Sequence, residues 1–204
     1  METIGENMNI EDQKVRALEV LRMCQLVDPF AIVAGGAVRD WRLEKPAQDI
    51  DIYLRMPNHN TLVLVEKFLM LGVGARNVKQ LTKQTEHTYA ELPHLKWVFE
   101  AYYKDLKFNF MIMEEGVRSE IVWNFDVAIC LCYWDGQNYV YHPDFEFALK
   151  TNICTINHRY TGKEAHVRKM AERFPMFRFV KDVFIPKEPE VRTLDSFNSE
   201  EFKI

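Results

Sequence analysis

Apolar positions recur at helical spacing along the first stretch of the chain, where Val15, Leu18, Leu21, Met23 and Leu26 follow Asn9 and Asp12. The pattern predicts a capped amphipathic helix of roughly four turns. Phe30 to Ala34 (FAIVA) is a short apolar run closed by glycine, which predicts a buried strand. Ala37 to Lys45 reads as a short helix stopped by Pro46, and the alternating DIDIYL that follows turns Ile50, Ile52 and Leu54 toward a core. Thr61 to Leu71 (TLVLVEKFLML) predicts a packed helix, capped by Asn58 or Asn60 and closed by Gly72. Beyond it lie a strand signal at Arg76 to Leu81 and a polar loop.

The second half begins with two runs rich in aromatic and branched residues, Lys96 to Tyr103 and Leu106 to Met113. Lys104-Asp105 between them predicts a hairpin. In its second strand Lys107 and Asn109 share one face, Phe108 and Phe110 the other. Glu114 to Trp123 reads as a helix, Phe125 to Trp134 as a buried strand, and Asp135-Gly136 as a turn into Tyr139 to Tyr141. A helical turn at Asp144 to Lys150, an extended piece at Asn152 to Ile156 and a helix at Gly162 to Phe174 follow. The fold expectation is α+β, a mixed sheet flanked by helices. The expected division is residues 1–150 as the main domain, 151–181 as a helical neck and 182–204 as an irregular acidic tail.

Composition narrows the class. With 204 residues, 48% hydrophobic, the chain can bury one substantial core. The net charge of −4 confines any nucleic-acid surface to a local patch. One such patch is 158–181, where seven Lys/Arg face two acidic residues and Phe174, Phe177 and Phe179 are interleaved. It suits an RNA backbone with base stacking, although phenylalanines so spaced more often pack a helix onto its domain. Cys24, Cys130, Cys132 and Cys154 show no paired spacing, which favours reduced core thiols in a cytoplasmic protein over a zinc site. No run is long enough to span a membrane, and the expectation is no membrane partner. The sequence sets no oligomeric state.

The chemistry concentrates in Ala31 to Leu54. Gly35 and Gly36 allow a sharp turn and close approach of a ligand to backbone N–H groups, at the start of a helix that attracts anions. Arg39, in the first turn, would add charge to that site. Asp49 and Asp51, as i and i+2 on a strand, would lie on one face about 6.5 to 7 Å apart at Cα. Two carboxylates so placed can share a pair of Mg²⁺ ions about 3.5 to 4 Å apart, the arrangement for phosphoryl or nucleotidyl transfer. A bare Asp-x-Asp is more often the exposed face of an edge strand; the strand, the glycine pair and the arginine beside it shift the balance.

The run GGAVRD, then eight residues, then DID resembles the signature of the DNA polymerase β nucleotidyltransferase superfamily, in particular the head domain of class II CCA-adding tRNA nucleotidyltransferases and bacterial poly(A) polymerases. The resemblance implies metal-dependent transfer of a nucleoside monophosphate from an NTP to a hydroxyl with release of pyrophosphate. It assigns Asp49 and Asp51 as metal-binding and catalytic, with Gly35, Gly36, Arg39 and Asp40 as nucleotide-binding. Asp126 aligns with a family aspartate, where the alternatives are a catalytic carboxylate or a buried one that accepts hydrogen bonds from a turn. Glu164 and Arg168 stand at the ends of a base-reading motif whose aspartate is here Ala165; as i and i+4 they equally suit a surface ion pair. Asn109 stands near a family carboxylate, with Glu100 or Asp126 able to supply the missing charge, and Asn124 and Phe125 replace two arginines that bind triphosphate. The implied partners are an NTP and an RNA (tRNA-like) 3′ end. The alternatives are a protein or small-molecule hydroxyl, or a non-catalytic nucleotide-binding module.

Overall fold

The structure is a computed structural model that describes residues 8–58, 61–81, 94–114, 118–157 and 164–181. The expected cap Asn60, the polar loop over 82–93, Arg159, Lys163 and the tail 182–204 lie outside the described residues.

Seven strands form one mixed sheet: β1 (Ile32–Ala34), β2 (Ile50–Arg55), β3 (Arg76–Leu81), β4 (Leu95–Tyr103), β5 (Leu106–Met113), β6 (Cys132–Trp134) and β7 (Tyr139–Tyr141). Their order is β3-β4-β5-β2-β1-β6-β7, and the β2–β5 pair is parallel while its neighbours are antiparallel. The β4–β5 hairpin turns where expected, at Lys104 and Asp105, both with positive φ (44° and 66°), as a tight two-residue turn requires.

Residues directly opposite across the ladders point to the same face. The row Val33, Ile52, Phe110, Phe99 belongs to the main core, which helices α1 (Ile10–Gln25) and α2 (Gly36–Arg42) cover with Ala17, Val20, Leu21, Val38 and Trp41. Phe99, Phe108 and Phe110 are fully buried there, each contributing roughly 1.5–3 kcal/mol. The opposite face carries two rows of different character. Ile32, Tyr53, Met111 and Val98 form a smaller apolar cluster with Val122 of α4 (Arg118–Trp123). The next row, Asp51, Asn109, Glu100 and Lys79, is polar across four strands.

Several boundaries differ from the sequence reading for local reasons. Phe30 is 60% exposed and precedes β1, its N–H capping Asp28 Oδ1 at 3.1 Å. Asp49 lies one residue before β2. The helix α3 (Leu62–Lys67) is capped by Thr61 rather than Asn58, and widens into a π turn over Phe68–Gly72. Phe125 to Trp134 is not one strand: a 3₁₀ turn at Ala128–Cys130 interrupts it. That turn lets Val127, Ala128 and Ile129 pack into a third cluster while Cys132–Trp134 joins the sheet.

This third cluster gathers α5 (Pro143–Thr151), β8 (Ile153–Ile156), α6 (Glu164–Arg173) and β9 (Arg178–Lys181). The stretch expected as a helical neck thus holds a parallel strand pair, β8–β9, as well as α6. Phe174 and Phe177 are buried in it. Their apolar bulk anchors the segment, which is the packing alternative of the sequence reading and leaves these two rings unavailable for base stacking. Among the described residues no helix is long and apolar enough to cross a membrane.

Candidate functional site

The geometry begins with the loop between α2 and β2. Gln13, on the inward face of α1, is 1% exposed. Its Oε1 accepts from Trp41 Nε1 (3.0 Å) and Ala47 N (2.8 Å), while its Nε2 donates to Ala47 O (2.9 Å). One buried amide therefore fixes the loop that delivers Asp49 to the head of β2.

Asp49 and Asp51 are both half-buried and converge on one group. Asn109 Nδ2 donates to Asp51 Oδ1 at 2.9 Å and to Asp49 Oδ2 at 3.2 Å. The parallel register places Asn109 directly beside Asp51. The amide offsets repulsion that two adjacent carboxylates would otherwise suffer. Asn109 is 3% exposed, and its Oδ1 is the one buried side-chain polar atom without a partner among the described residues. Glu100, opposite Asn109 on β4, does not stand in as a third free carboxylate, because Lys107 Nζ holds it at 2.7 Å. Burial pushes the Lys107 pKa down, but its hydrogen bond and charge contact with Glu100, with Asp49 adding to them, raise it overall.

The two carboxylates are hard oxygen donors that fit a divalent cation such as Mg²⁺, and Asn109 Oδ1 beside them is an orphaned oxygen while its NH₂ faces them. Among the described residues no cluster of three His, Cys, Asp or Glu accompanies them.

The glycine turn stands at the end of β1. Gly35 has φ +74° and ψ −121°, and its N–H is already used by Cys132 O at 3.0 Å. Donors for an anion must therefore come from Gly36 onward. A Cβ on Gly35 would meet the Phe125 ring at 3.3 Å. The aromatic ring that stands in place of an arginine thus packs against the turn, and against Tyr53 at 5.8 Å between centroids.

Arg39 sits elsewhere than expected. It is 3% exposed, with Nε 2.9 Å from Asp40 Oδ1 and one terminal nitrogen 3.1 Å from both Cys130 Sγ and Met170 Sδ. Burial works against its charge, but Cys130 and Asp40 beside it hold its pKa up. The Cys130 thiol is itself pushed up by burial, so Asp40 carries the counter-charge. The helix turns Arg39 inward to the third cluster rather than out to an anion. Asp40, 1% exposed, also receives Arg173 from α6 at 2.6 Å. The fully buried Phe174 ring lies under Arg39 (4.6 Å), Lys45 (4.8 Å) and Arg173 (5.5 Å).

Asp126 is 5% exposed and meets His166 Nδ1 at 2.6 Å, tying the chain before the 3₁₀ turn to α6. Glu164 is 3.6 Å from Lys181, and Arg168 is exposed. The contacts made by Gln13, Lys107, His166 and Arg173 escaped the sequence reading, which places Lys107 only on the Asn109 face and Arg173 only in the basic patch. Gln13 had a visible signal, a polar residue on an apolar helix face; the long-range partners of the others had none.

The family model described as "Gad2: Gabija anti-defense 2 family protein" matches residues 8–152. No curated protein matches the chain. Among solved structures, the Thermotoga maritima CCA-adding enzyme complexed with tRNA is similar with TM-score 0.56 and 16% identity, over 85% of this chain and 42% of that one. A tRNA-processing enzyme complex matches with TM-score 0.55 and 19% identity, over 79% and 43%. A tRNA nucleotidyltransferase complexed with a primer tRNA and an incoming ATP analog matches with TM-score 0.53 and 19% identity, over 78% and 46%. At these identities the likeness concerns the fold, and the chain spans less than half the length of these structures.

Proposed function

The chain belongs to the Gabija anti-defense 2 family, and from that premise we propose that it is a metal-dependent nucleotidyltransferase, which moves a nucleoside monophosphate from an NTP to an acceptor hydroxyl and releases pyrophosphate. The observation that carries the reading is the convergence of Asp49 and Asp51 on Asn109 at the head of β2, on a fold shared with structures of CCA-adding enzymes. Asp49 and Asp51 would hold Mg²⁺, two ions once the triphosphate contributes oxygens. When bound, the ions supply charge neutralisation on the phosphates and activation of the acceptor hydroxyl.

The chain's own groups do the rest. The loop pinned by Gln13 fixes Asp49, and the β2–β5 register fixes Asp51, so the carboxylates are preorganised before substrate arrives. Gly36 and the first turn of α2 would turn their backbone N–H groups to phosphate oxygens. Arg39 and Asp40 act as positioning residues that lock α2 to α6. Asp126 ties the chain before the 3₁₀ turn to α6 through His166, and Glu164 and Arg168 lie on the exposed side of α6, where a base or an RNA backbone can approach.

We favour an RNA 3′ end as acceptor. The support is the exposed Arg168, Lys169 and Arg178 and the tRNA with which two of the similar structures are complexed. The anti-defense description of the family is served by the same chemistry if the modified molecule belongs to the defence it opposes. A second reading, a nucleotide-binding module without turnover, is favoured by Phe125 packed on Gly35 and by Asn109 in place of a carboxylate. Incubation with each α-labelled NTP, Mg²⁺ and total host RNA or protein separates them. Labelled RNA supports transfer to RNA, labelled protein redirects the acceptor, and bound NTP with no labelled product supports the binding module.

A further inference from the structure

Asn109 has a feature that the transfer reading does not use. Its NH₂ group serves both carboxylates, while its carbonyl oxygen is buried with no partner among the described residues. Both ends of this amide are constrained by burial, since the residue is 3% exposed, yet only one end is satisfied. In the metal-free protein that orientation is the favourable one, because it places the donor against two negative groups. A cation between Asp49 and Asp51 reverses the electrostatics: the same NH₂ then faces a positive charge, and the oxygen that could bind the cation points away.

We propose that Asn109 is a metal-gated clamp, whose amide turns over when a divalent cation binds so that Oδ1 becomes a third oxygen donor beside Asp49 and Asp51. The terminal torsion of asparagine is broad and roughly two-fold, so the exchange needs no change of backbone. Turning over leaves the NH₂ where the carbonyl stood. The turned state is therefore favourable only with the cation present, and this makes the clamp gated rather than a fixed ligand. A carboxylate at this position would bind cations more tightly but would have nothing to donate in their absence. The amide trades affinity for an ordered, less repulsive empty site. The inference rests on the reading of Asp49 and Asp51 as the cation site.

The test uses the full chain, with asparagine side chains ¹⁵N-labelled. The Asn109 NH₂ signals are assigned by their loss in Asn109→Asp, and Mg²⁺ is titrated with its affinity measured by calorimetry in the wild type, in Asn109→Leu and in Asp49→Asn/Asp51→Asn. The proposal expects the Asn109 NH₂ signals to shift as the site saturates, and the Mg²⁺ affinity of Asn109→Leu to fall about tenfold, or about 1.4 kcal/mol. Mg²⁺ binding that depends on Asp49 and Asp51 but leaves the Asn109 signals unmoved overturns the clamp while sparing the cation site. No Mg²⁺ binding, or binding unchanged in Asp49→Asn/Asp51→Asn, overturns both. Because the spectra are read on the wild type, the result stands even if Asn109→Leu folds poorly.

Discussion

Arg173 on α6 closes to 2.6 Å from Asp40 on α2, a carboxylate that Arg39 already holds at 2.9 Å from the other side. One buried carboxylate thus joins the helix beside the glycine turn to the β8–α6–β9 unit. Removing it leaves Arg39 charged and buried beside neutral sulfurs. Asp40→Ala should lower unfolding free energy by about 3–5 kcal/mol, the cost of breaking a buried pair from one side. Arg173→Ala, whose guanidinium is partly exposed, should cost less. Urea denaturation of both variants checks the order.

Gln13 should matter more than its distance in sequence from the aspartates suggests. Gln13→Leu removes three hydrogen bonds and strands Trp41 Nε1 and the Ala47 backbone. The expected loss is about 1–3 kcal/mol for each group left unsatisfied, with weaker Mg²⁺ binding as the Asp49 loop loosens. Thermal unfolding and metal titration of the variant measure both effects.

The α+β class, the mixed sheet and the Asp49/Asp51 pair were legible in the sequence because each rests on local alternation and glycine punctuation. The strand expected at Phe125 to Trp134 was not. Its apolar content is continuous, and only the competition between two cores, one under β6 and one under α5 and α6, breaks it at Ala128–Cys130. Arg39 was misplaced for a related reason: a charge in the first turn of a helix after glycine reads as an anion ligand until its burial against Asp40 and Phe174 is seen. Asn109 was recognised as a departure, whereas its bond to both aspartates depends on the β2–β5 register, which no local pattern records.

Gly35 is held by two independent constraints, its positive φ and the Phe125 ring at 3.3 Å from where a Cβ would stand. Gly35→Ala should therefore cost about 1–3 kcal/mol from the backbone alone, plus a steric part. The steric part is relieved in Gly35→Ala/Phe125→Ala and the backbone part is not. A double-mutant cycle by chemical denaturation should show favourable coupling between the two changes, and strict additivity would contradict the contact.

Lys107 carries the pH signature of the polar row. Its folded pKa is raised above the ordinary lysine value of about 10.4. The ion pair with Glu100 therefore contributes fully below that value, and its contribution is lost as pH rises through the higher folded pKa. Compared with Lys107→Met, the wild type should hold its stability advantage through neutral pH and surrender it in strongly alkaline solution. Denaturation midpoints of both proteins from pH 7 to 11 test this.

The central claim is that Asp49 and Asp51 make the nucleotidyl-transfer site. Its most direct measurement is Mg²⁺-dependent incorporation of label from α-labelled NTP into host RNA, by the wild type and by Asp49→Asn and Asp51→Asn variants whose folds are verified by circular dichroism. The account predicts incorporation by the wild type and a loss of at least about a hundredfold in either variant, given what preorganised electrostatic groups contribute to such reactions. Undiminished incorporation in both variants would contradict it.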